Sequence, residues 1–182
     1  MAMTGLAYPV VADCTEDSSG ALSYSNSVVI GRACRFRLEP HYDEDASEYT
    51  GLNDLDPRHE FNYADVTLTL AEAGDDALAA LGHDVSNGDA SFSDMDISGP
   101  KGLALIETGR IGGTKHYFVT FLAKVVFRDG DADVKTRGKT IDYSTQEIKG
   151  IAYPSGNGMW RLRRSYTNKE KALEAIEELV GA

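Results

Sequence analysis

The segment YFVTFLAKVVF, Tyr117–Phe127, decides the fold. Its odd positions, Tyr117, Val119, Phe121, Ala123, Val125 and Phe127, are all apolar, and a period of two places them on one face of a β-strand. The even positions, Phe118, Thr120, Leu122, Lys124 and Val126, are largely apolar too. A strand of this kind needs cover on both sides. A small single layer cannot supply it, whereas a sandwich whose outer face meets another subunit can. The expectation is assembly rather than catalysis.

The neighbouring segments extend the β pattern. Leu103–Ile111 reads as a strand, and Gly112-Gly113 makes a hairpin turn into Lys115–Arg128. Upstream, Leu6–Ala12 reads as a strand interrupted by Pro9, which suits a sheet edge. Asp13–Gly20 is turn chemistry, and Leu22–Tyr24 and Val28–Leu38 read as strands. Phe61–Leu70 is a strand whose apolar parity slips from odd (Phe61, Tyr63) to even (Val66, Leu68, Leu70), which a bulge near Ala64 or Asp65 would reconcile. Downstream, Asp129–Asp133 reads as a loop and Lys139–Tyr153 as a long strand broken near Gly150. Pro154–Gly158 reads as a second hairpin turn returning through Met159–Tyr166.

Two helices complete the pattern. Asp75–Leu81 has Asp75 as N-cap, Leu78 and Leu81 inward and Gly82 past its end. The chain closes on a helix with a capping box from Thr167 and Glu170 and an apolar stripe of Leu173, Ile176, Leu179 and Val180. Between them, His83–Asp96 is polar and turn-rich, with strand character near Phe92. The expected fold is mainly β: a β-sandwich or partly open barrel with a short helix and a C-terminal helix. The chain of 182 residues reads as a single domain, 1–182, without internal repeats.

Charge is unevenly spread. The net charge is −11, which argues against a groove that holds nucleic acid by neutralising phosphates. Between His41 and Pro100 there are fifteen acidic residues and one basic residue, Arg58, a net of −14 that leaves +3 for the rest. A solubilising surface accounts for this, and so does a surface that repels a polyanion or meets a more basic surface on a neighbouring copy. His41–Glu60 holds seven of those acids, lacks periodicity, and is expected to be a long acidic loop or arm ordered by a partner.

Motifs for chemistry are sparse. There is no phosphate-binding loop, and no nucleophile elbow around a serine. His41, His59, His83 and His116 share no i, i+4 spacing and read as surface or loop residues. Asp94, Asp96, Ser98 and Gly99 start like a calcium loop, but Leu105 stands where a bidentate glutamate is needed; Asp129, Asp131 and Asp133 fail at Val134. No catalytic, cofactor or metal residue is expected. Arg161, Arg163 and Arg164 beside Trp160 fit a nucleic-acid patch less well than the basic edge of a terminal strand that pairs with carboxylates, within the subunit or across an interface. Cys14 and Cys34 match no zinc or redox spacing; a meeting across adjacent strands is open to them, and two buried free thiols of a cytosolic product are the favoured expectation. The start has no signal-peptide pattern, and no run approaches the ~20 apolar residues of a membrane span, so a soluble protein without membrane partners is expected.

One ordered series runs along nearly the whole chain. It comprises Gly5-Leu6-Ala7-Tyr8-Pro9-Val10, Tyr24 before the Val28–Gly31 strand, Phe61–Leu70, and Leu81-Gly82-His83. It continues with Gly102-Leu103-Ala104-Leu105-Ile106, Tyr117–Phe127, Lys135-Thr136-Arg137-Gly138-Lys139-Thr140-Ile141, then Trp160 and the last helix. In this order it resembles the major tail proteins of long-tailed phages (siphoviruses), the phi13-like tail tube family. His83–Gly99 departs most from that pattern. The resemblance implies a non-enzymatic virion protein, assembled in the host cytoplasm, whose β-sandwich subunits form stacked, hexameric rings around a hollow tube for DNA delivery. It implies as partners further copies of itself and the tape measure, tail terminator and tail tip proteins, with DNA passing the lumen without sticking. An arm reaching the adjacent ring would fall at His41–Glu60, and contacts between subunits or rings are expected at Tyr42, Tyr49, Leu52, Leu55, Phe118, Leu122 and Val126. The acidic balance fits a lumen wall that repels phosphates. Two other classes fit the residues less well. One is a small-ligand-binding β-barrel with the acidic loop as lid, and the other is a hydrolase built on a carboxylate pair with raised pKa values.

Overall fold

The computed structural model describes residues 2–42, 61–72, 75–86, 89–91, 99–132 and 146–181. In chain order these form β1 (Ala2–Glu16), β2 (Leu22–Val29), β3 (Arg32–Tyr42), β4 (Phe61–Glu72), α1 (Asp75–Ala80), β5 (Asp84–Ser86) and β6 (Asp89–Ser91). They are followed by β7 (Lys101–Ile111), β8 (Thr114–Ala132), β9 (Gln146–Ala152), β10 (Arg161–Tyr166) and α2 (Lys169–Val180). Eight strands make one open antiparallel sheet in the order β2-β1-β7-β8-β9-β4-β3, with β10 also on β8; β5 and β6 form a separate hairpin. The fold is thus mainly β, as the patterning implies. The sheet curls, because β3 packs against β1 although no ladder joins them, and the Ile30 N–H donates to the Pro9 carbonyl at 3.0 Å.

Curling gives the sheet an inner and an outer face. Val11, Ile30, Val66, Leu68, Leu70, Leu103, Leu105, Leu122, Val125, Phe127 and Ile148 fill the inner face as one cluster, closed by Leu81 just after α1. On the outer face, Val10, Ala12, Ala104, Ile106, Val119, Phe121 and Ala123 meet Ala172, Ala175, Ile176 and Val180 of α2. The small residues on both sides of this second contact let the helix lie close.

The first half of β8 is therefore covered twice within its own chain. Its parity changes midway. Leu122 pairs with Leu103 and Val125 with Lys101, so Ala123 and Lys124 both oppose Gly102 in a bulge. Up to Ala123 the odd residues face α2; beyond the bulge the odd residues Val125 and Phe127 face the inner core. The turn before β8 is a two-residue hairpin with Gly112 and Gly113 at φ 56° and 85°, a geometry that L side chains resist. β8 runs on to Ala132, past the loop expected from Asp129.

Several local expectations shift. Pro9 does not mark an edge, since β1 lies between β2 and β7. The ladder to β7 changes register between Ala7 and Val10 and Tyr8 takes φ 57°, so the proline sits in an irregularity. The slip in β4 falls at Asn62, because Phe61 pairs with Tyr42 and Tyr63 with His41; no irregularity occurs at Ala64 or Asp65. Gly150 does not break β9. It sits where the Phe127 ring crosses the strand, and a Cβ there would lie 3.0 Å from Phe127 Cδ1. β9 and β10 are not a hairpin: both run antiparallel to β8, end to end, Ala152 opposite Val125 and Arg161 opposite Leu122, with residues 153–160 looping out between them. The N-cap of α2 is Asn168, one residue after the expected Thr167; its side chain accepts from the Glu170 N–H at 2.7 Å, and Gly181 closes the helix at φ 69°. Of the arm expected at 41–60, His41 and Tyr42 belong to β3, and 43–60 lie outside the described residues.

Gly102 is a sensitive point. A Cβ there would lie 2.8 Å from Tyr24 Cε1 and 3.2 Å from Phe121 Cε2. Tyr24 is held in place, as its hydroxyl donates to the Ala123 carbonyl at 2.9 Å and its ring meets Phe121 edge-on at 5.2 Å. Gly102→Ala is expected to lower unfolding free energy by about 1–3 kcal/mol in urea titrations, from overpacking alone. Asn168→Ala is expected to cost about 1 kcal/mol in the same assay, by loss of the cap.

Candidate functional site

An open sheet leaves edges. Among the described residues, no strand lies beyond β2, β3 or β10. Exposed edges invite pairing with other chains, and proteins blunt them with charge, proline or bulges. β3 carries Arg32, Arg35, Arg37, Glu39 and Pro40, and β10 carries Arg161, Arg163 and Arg164. β2, LSYSNSVV, has no charge and no proline, although Asn26 takes φ 52° opposite a register shift. Its last residue, Val29, is 44% exposed.

Two of β10's arginines, Arg163 and Arg164, pair inside the chain. Arg163 donates to Glu107 Oε2 at 3.2 Å and lies over the Phe118 ring at 4.5 Å; Arg164 reaches Glu178 at 3.7 Å. Glu107 Oε2 also accepts from the buried Thr120 hydroxyl at 3.2 Å. This polar group closes the hairpin end of the inner face, where His116 Nδ1 and Ser165 Oγ stand 3.1 Å apart. The signal for it was an isolated glutamate in the apolar run of β7, and the sequence offers no way to match it to an arginine 56 residues later.

The contact residues expected from sequence divide. Leu122 is fully buried in the inner core, and Phe118 is 4% exposed beneath Arg163, so neither is offered to a neighbour; the even face of β8 is covered by its own curled sheet. Val126 stays half-buried on the outer face opposite Ile151. Tyr42 is 46% exposed at the end of β3, edge-on to Phe61, which stacks on Trp160 at 4.0 Å. Tyr49, Leu52 and Leu55 lie outside the described residues.

Other expected groups resolve as structural parts. His41 stacks on Tyr63 and lies 2.8 Å from Asp65. Cys14 is buried and its burial raises the thiol pKa; Cys34 is exposed, a correction to the expected buried pair, because a register shift in β3 turns it out of the core. Asp94, Asp96, Ser98 and Asp133 lie outside the described residues, as does His59. Among the described residues no three His, Cys, Asp or Glu side chains come together as metal ligands, and no helix is long and apolar enough to cross a membrane.

The outer face divides in two. α2 covers β1, β7 and the first half of β8. Across β3, β4, β9 and the second half of β8, a row of Arg37, Thr67, Lys149 and Arg128 runs in register, with Val126 and Ile151 beside it. Sequence reading missed this row because its members lie on four strands.

No protein-family model matches the chain, and no curated protein matches it.

Among the described residues, the carboxylates with displaced pKa values move down. Asp13 is lowered by hydrogen bonds from Lys101 and from Asn26 at 2.8 Å; Glu16 is lowered by Lys124, then by the Gly156 N–H at 2.9 Å; Asp17 is lowered by Ser19 and the backbone of its turn. This is the direction of ion pairs and turns, opposite to that of a general acid. A carboxylate lowered on folding stabilises the fold above its ordinary pKa, here 3.8, and loses that contribution as pH falls through the folded value. Asp13→Asn should therefore be less stable than wild type at neutral pH, by about 1 kcal/mol or less, since the carboxylate is 41% exposed. The gap should close on acidification below 3.8, read from urea midpoints across a pH series.

Proposed function

We propose that the chain is a structural subunit that assembles with copies of itself through strand edges, and that it is the tube-forming tail subunit its sequence order resembles. The observation that carries this is β2, an uncharged, proline-free edge of an open sheet. A soluble monomer has no use for such an edge, and strand addition from a neighbour would satisfy its backbone groups. The remaining terms of the proposal follow from the resemblance: stacked, hexameric rings, tape measure, terminator and tip proteins as partners, and a place in the virion tail. The charge of −11 supports a lumen that DNA passes without adhering.

The ligand-binding barrel is the weaker reading. It needs a closed wall around a cavity, whereas the sheet is open and its inward side chains pack on one another.

Negative-stain electron microscopy and light scattering across a concentration series test the proposal. Rings or hollow tubes are expected for the wild type. Val29→Lys adds a charge to the β2 edge and should abolish them, while changing unfolding free energy by no more than about 0.5 kcal/mol. A wild type that stays monomeric throughout, or a Val29→Lys variant that assembles normally, would count against edge pairing at β2.

A further inference from the structure

We infer that Tyr8 anchors the neighbouring copy that pairs on β2, its ring entering that copy's surface where the β2 edge ends. This contact rests on the edge assembly proposed above and adds to it a single anchoring side chain.

Among the described residues two that are not glycine take positive φ, Asn26 at 52° and Tyr8 at 57°. Asn26 accounts for itself. Asparagine enters the left-handed region more readily than most side chains, and the Asn26 amide donates to Asp13 Oδ2 at 2.8 Å. Tyr8 breaks two steric rules at once. For a bulky residue a positive φ is an outlier. Tyr8 also precedes Pro9, and a proline ring drives the residue before it toward extended backbone with negative φ. Strain of this kind persists only where the surroundings impose it. Here β1 takes three steps from Ala7 to Val10 while β7 takes two from Ile106 to Ala104, and the Pro9 carbonyl is held by the Ile30 N–H at 3.0 Å.

The strained residue has no use inside its own chain. The Tyr8 ring belongs to neither core cluster, and among the described residues it has no hydrogen-bonding, ionic or ring partner. It stands 39% exposed.

Its place in the sheet shows what would use it. β2 pairs with β1 from Val10 onward, so Tyr8 lies just past the end of that ladder. Val29, the exposed last residue of β2, is opposite Val10. Gly5 and Ala7 are exposed beside Tyr8, which makes the corner small and uncharged around one large ring. A strand added to β2 runs past Val29 to this corner and brings its own copy over the ring. Tyrosine suits that role, because it buries a large apolar face while losing few rotamers and keeps a hydroxyl for a polar group.

Substitution separates the ring from the strain. Tyr8→Gly removes both, Tyr8→Asn replaces the ring with a residue that tolerates positive φ, and Tyr8→Phe keeps the ring. In urea titrations at concentrations where the chain is monomeric, Tyr8→Gly and Tyr8→Asn should unfold at the wild-type midpoint or above it. By sedimentation velocity both should self-associate about tenfold or more weakly, with Tyr8→Phe within about threefold of wild type. Hydroxyl-radical footprinting read by mass spectrometry should find Tyr8 reactive in dilute wild type and protected in its oligomers. In Val29→Lys it should stay reactive at every concentration. A Tyr8→Gly variant that associates as wild type does, or a Tyr8 that stays reactive in the oligomers, would overturn the anchor and leave β2-edge assembly standing. A lower urea midpoint for both Tyr8→Gly and Tyr8→Asn would overturn it too, by showing that the ring supports its own chain. A strictly monomeric wild type would overturn anchor and edge together.

Discussion

A strand that is apolar on both faces has to be covered twice, and β8 meets that demand within one chain. Its inner face is closed by the curl of the sheet and its outer face by α2. The two covers do not lie over the same residues. The bulge at Ala123–Lys124 changes the strand's parity, so the half before it gives its odd residues to the helix and the half after it gives them to the inner core. The partners divide at the same place: β10 pairs with the first half and β9 with the second. The loop between them returns to pin the bulge, since the Ala123 N–H donates to the Trp160 carbonyl at 3.0 Å and the Tyr153 N–H to the Lys124 carbonyl at 2.8 Å. Lys124 in turn pairs with Glu16, which also accepts from the Gly156 N–H at 2.9 Å. One irregularity thus ties together the ends of β1, β9 and β10.

The signals legible in the sequence were those confined to neighbouring residues. Apolar runs mark β7 and β8, paired glycines mark their turn, and 3.6-residue spacing with a terminal glycine marks both helices. What escaped depends on pairings between distant residues. Pro9 resembled an edge because a proline removes a ladder hydrogen bond; the fold instead places it in a shift of register that needs none. The slip in β4 was visible as a change of parity, but its place at Asn62 follows from pairing with Tyr42 and His41. Turn chemistry at 154–158 looked like a hairpin, yet both flanking strands lie along β8, a choice set by which backbone groups remained unpaired there. The apolar even face of β8 reads as a surface for a neighbour because nothing in the segment itself reveals that Leu122 and Phe118 are covered within the chain. The basic row on the outer face was illegible for the same reason: its residues meet through three separate registers.

The edges differ in a way that bears on function. A terminal strand in a sheet that works alone is usually defended, and β3 and β10 are: arginines project from both, and Pro40 removes a donor from β3. β2 is left with serines, an asparagine and valines. Its inward anchor is nevertheless firm, because Tyr24 is locked against Phe121 and Ala123, and a Cβ at Gly181 would lie 2.6 Å from the Tyr24 carbonyl, so the end of α2 packs on the strand backbone. β2 is thus rigidly mounted, and its one irregularity is the register shift at Asn26.

Charge separation sharpens the same point. An acidic chain of net charge −11 repels its copies at long range, so any self-association must bring opposite charges together at short range. The sheet mixes both signs: Arg37, Lys149 and Arg128 stand in one row with Glu39, Asp65 and Glu147 on the same face beside it, and Arg163 and Arg164 lie on β10. The pairs within the chain use part of that charge: Arg163 is spent on Glu107, and Arg164 on Glu178. Arg37, on the outer face of the sheet, pairs with Glu39 of its own strand. Repulsion at a distance with attraction at one geometry favours ordered contacts over random aggregation, because a misplaced copy meets like charge.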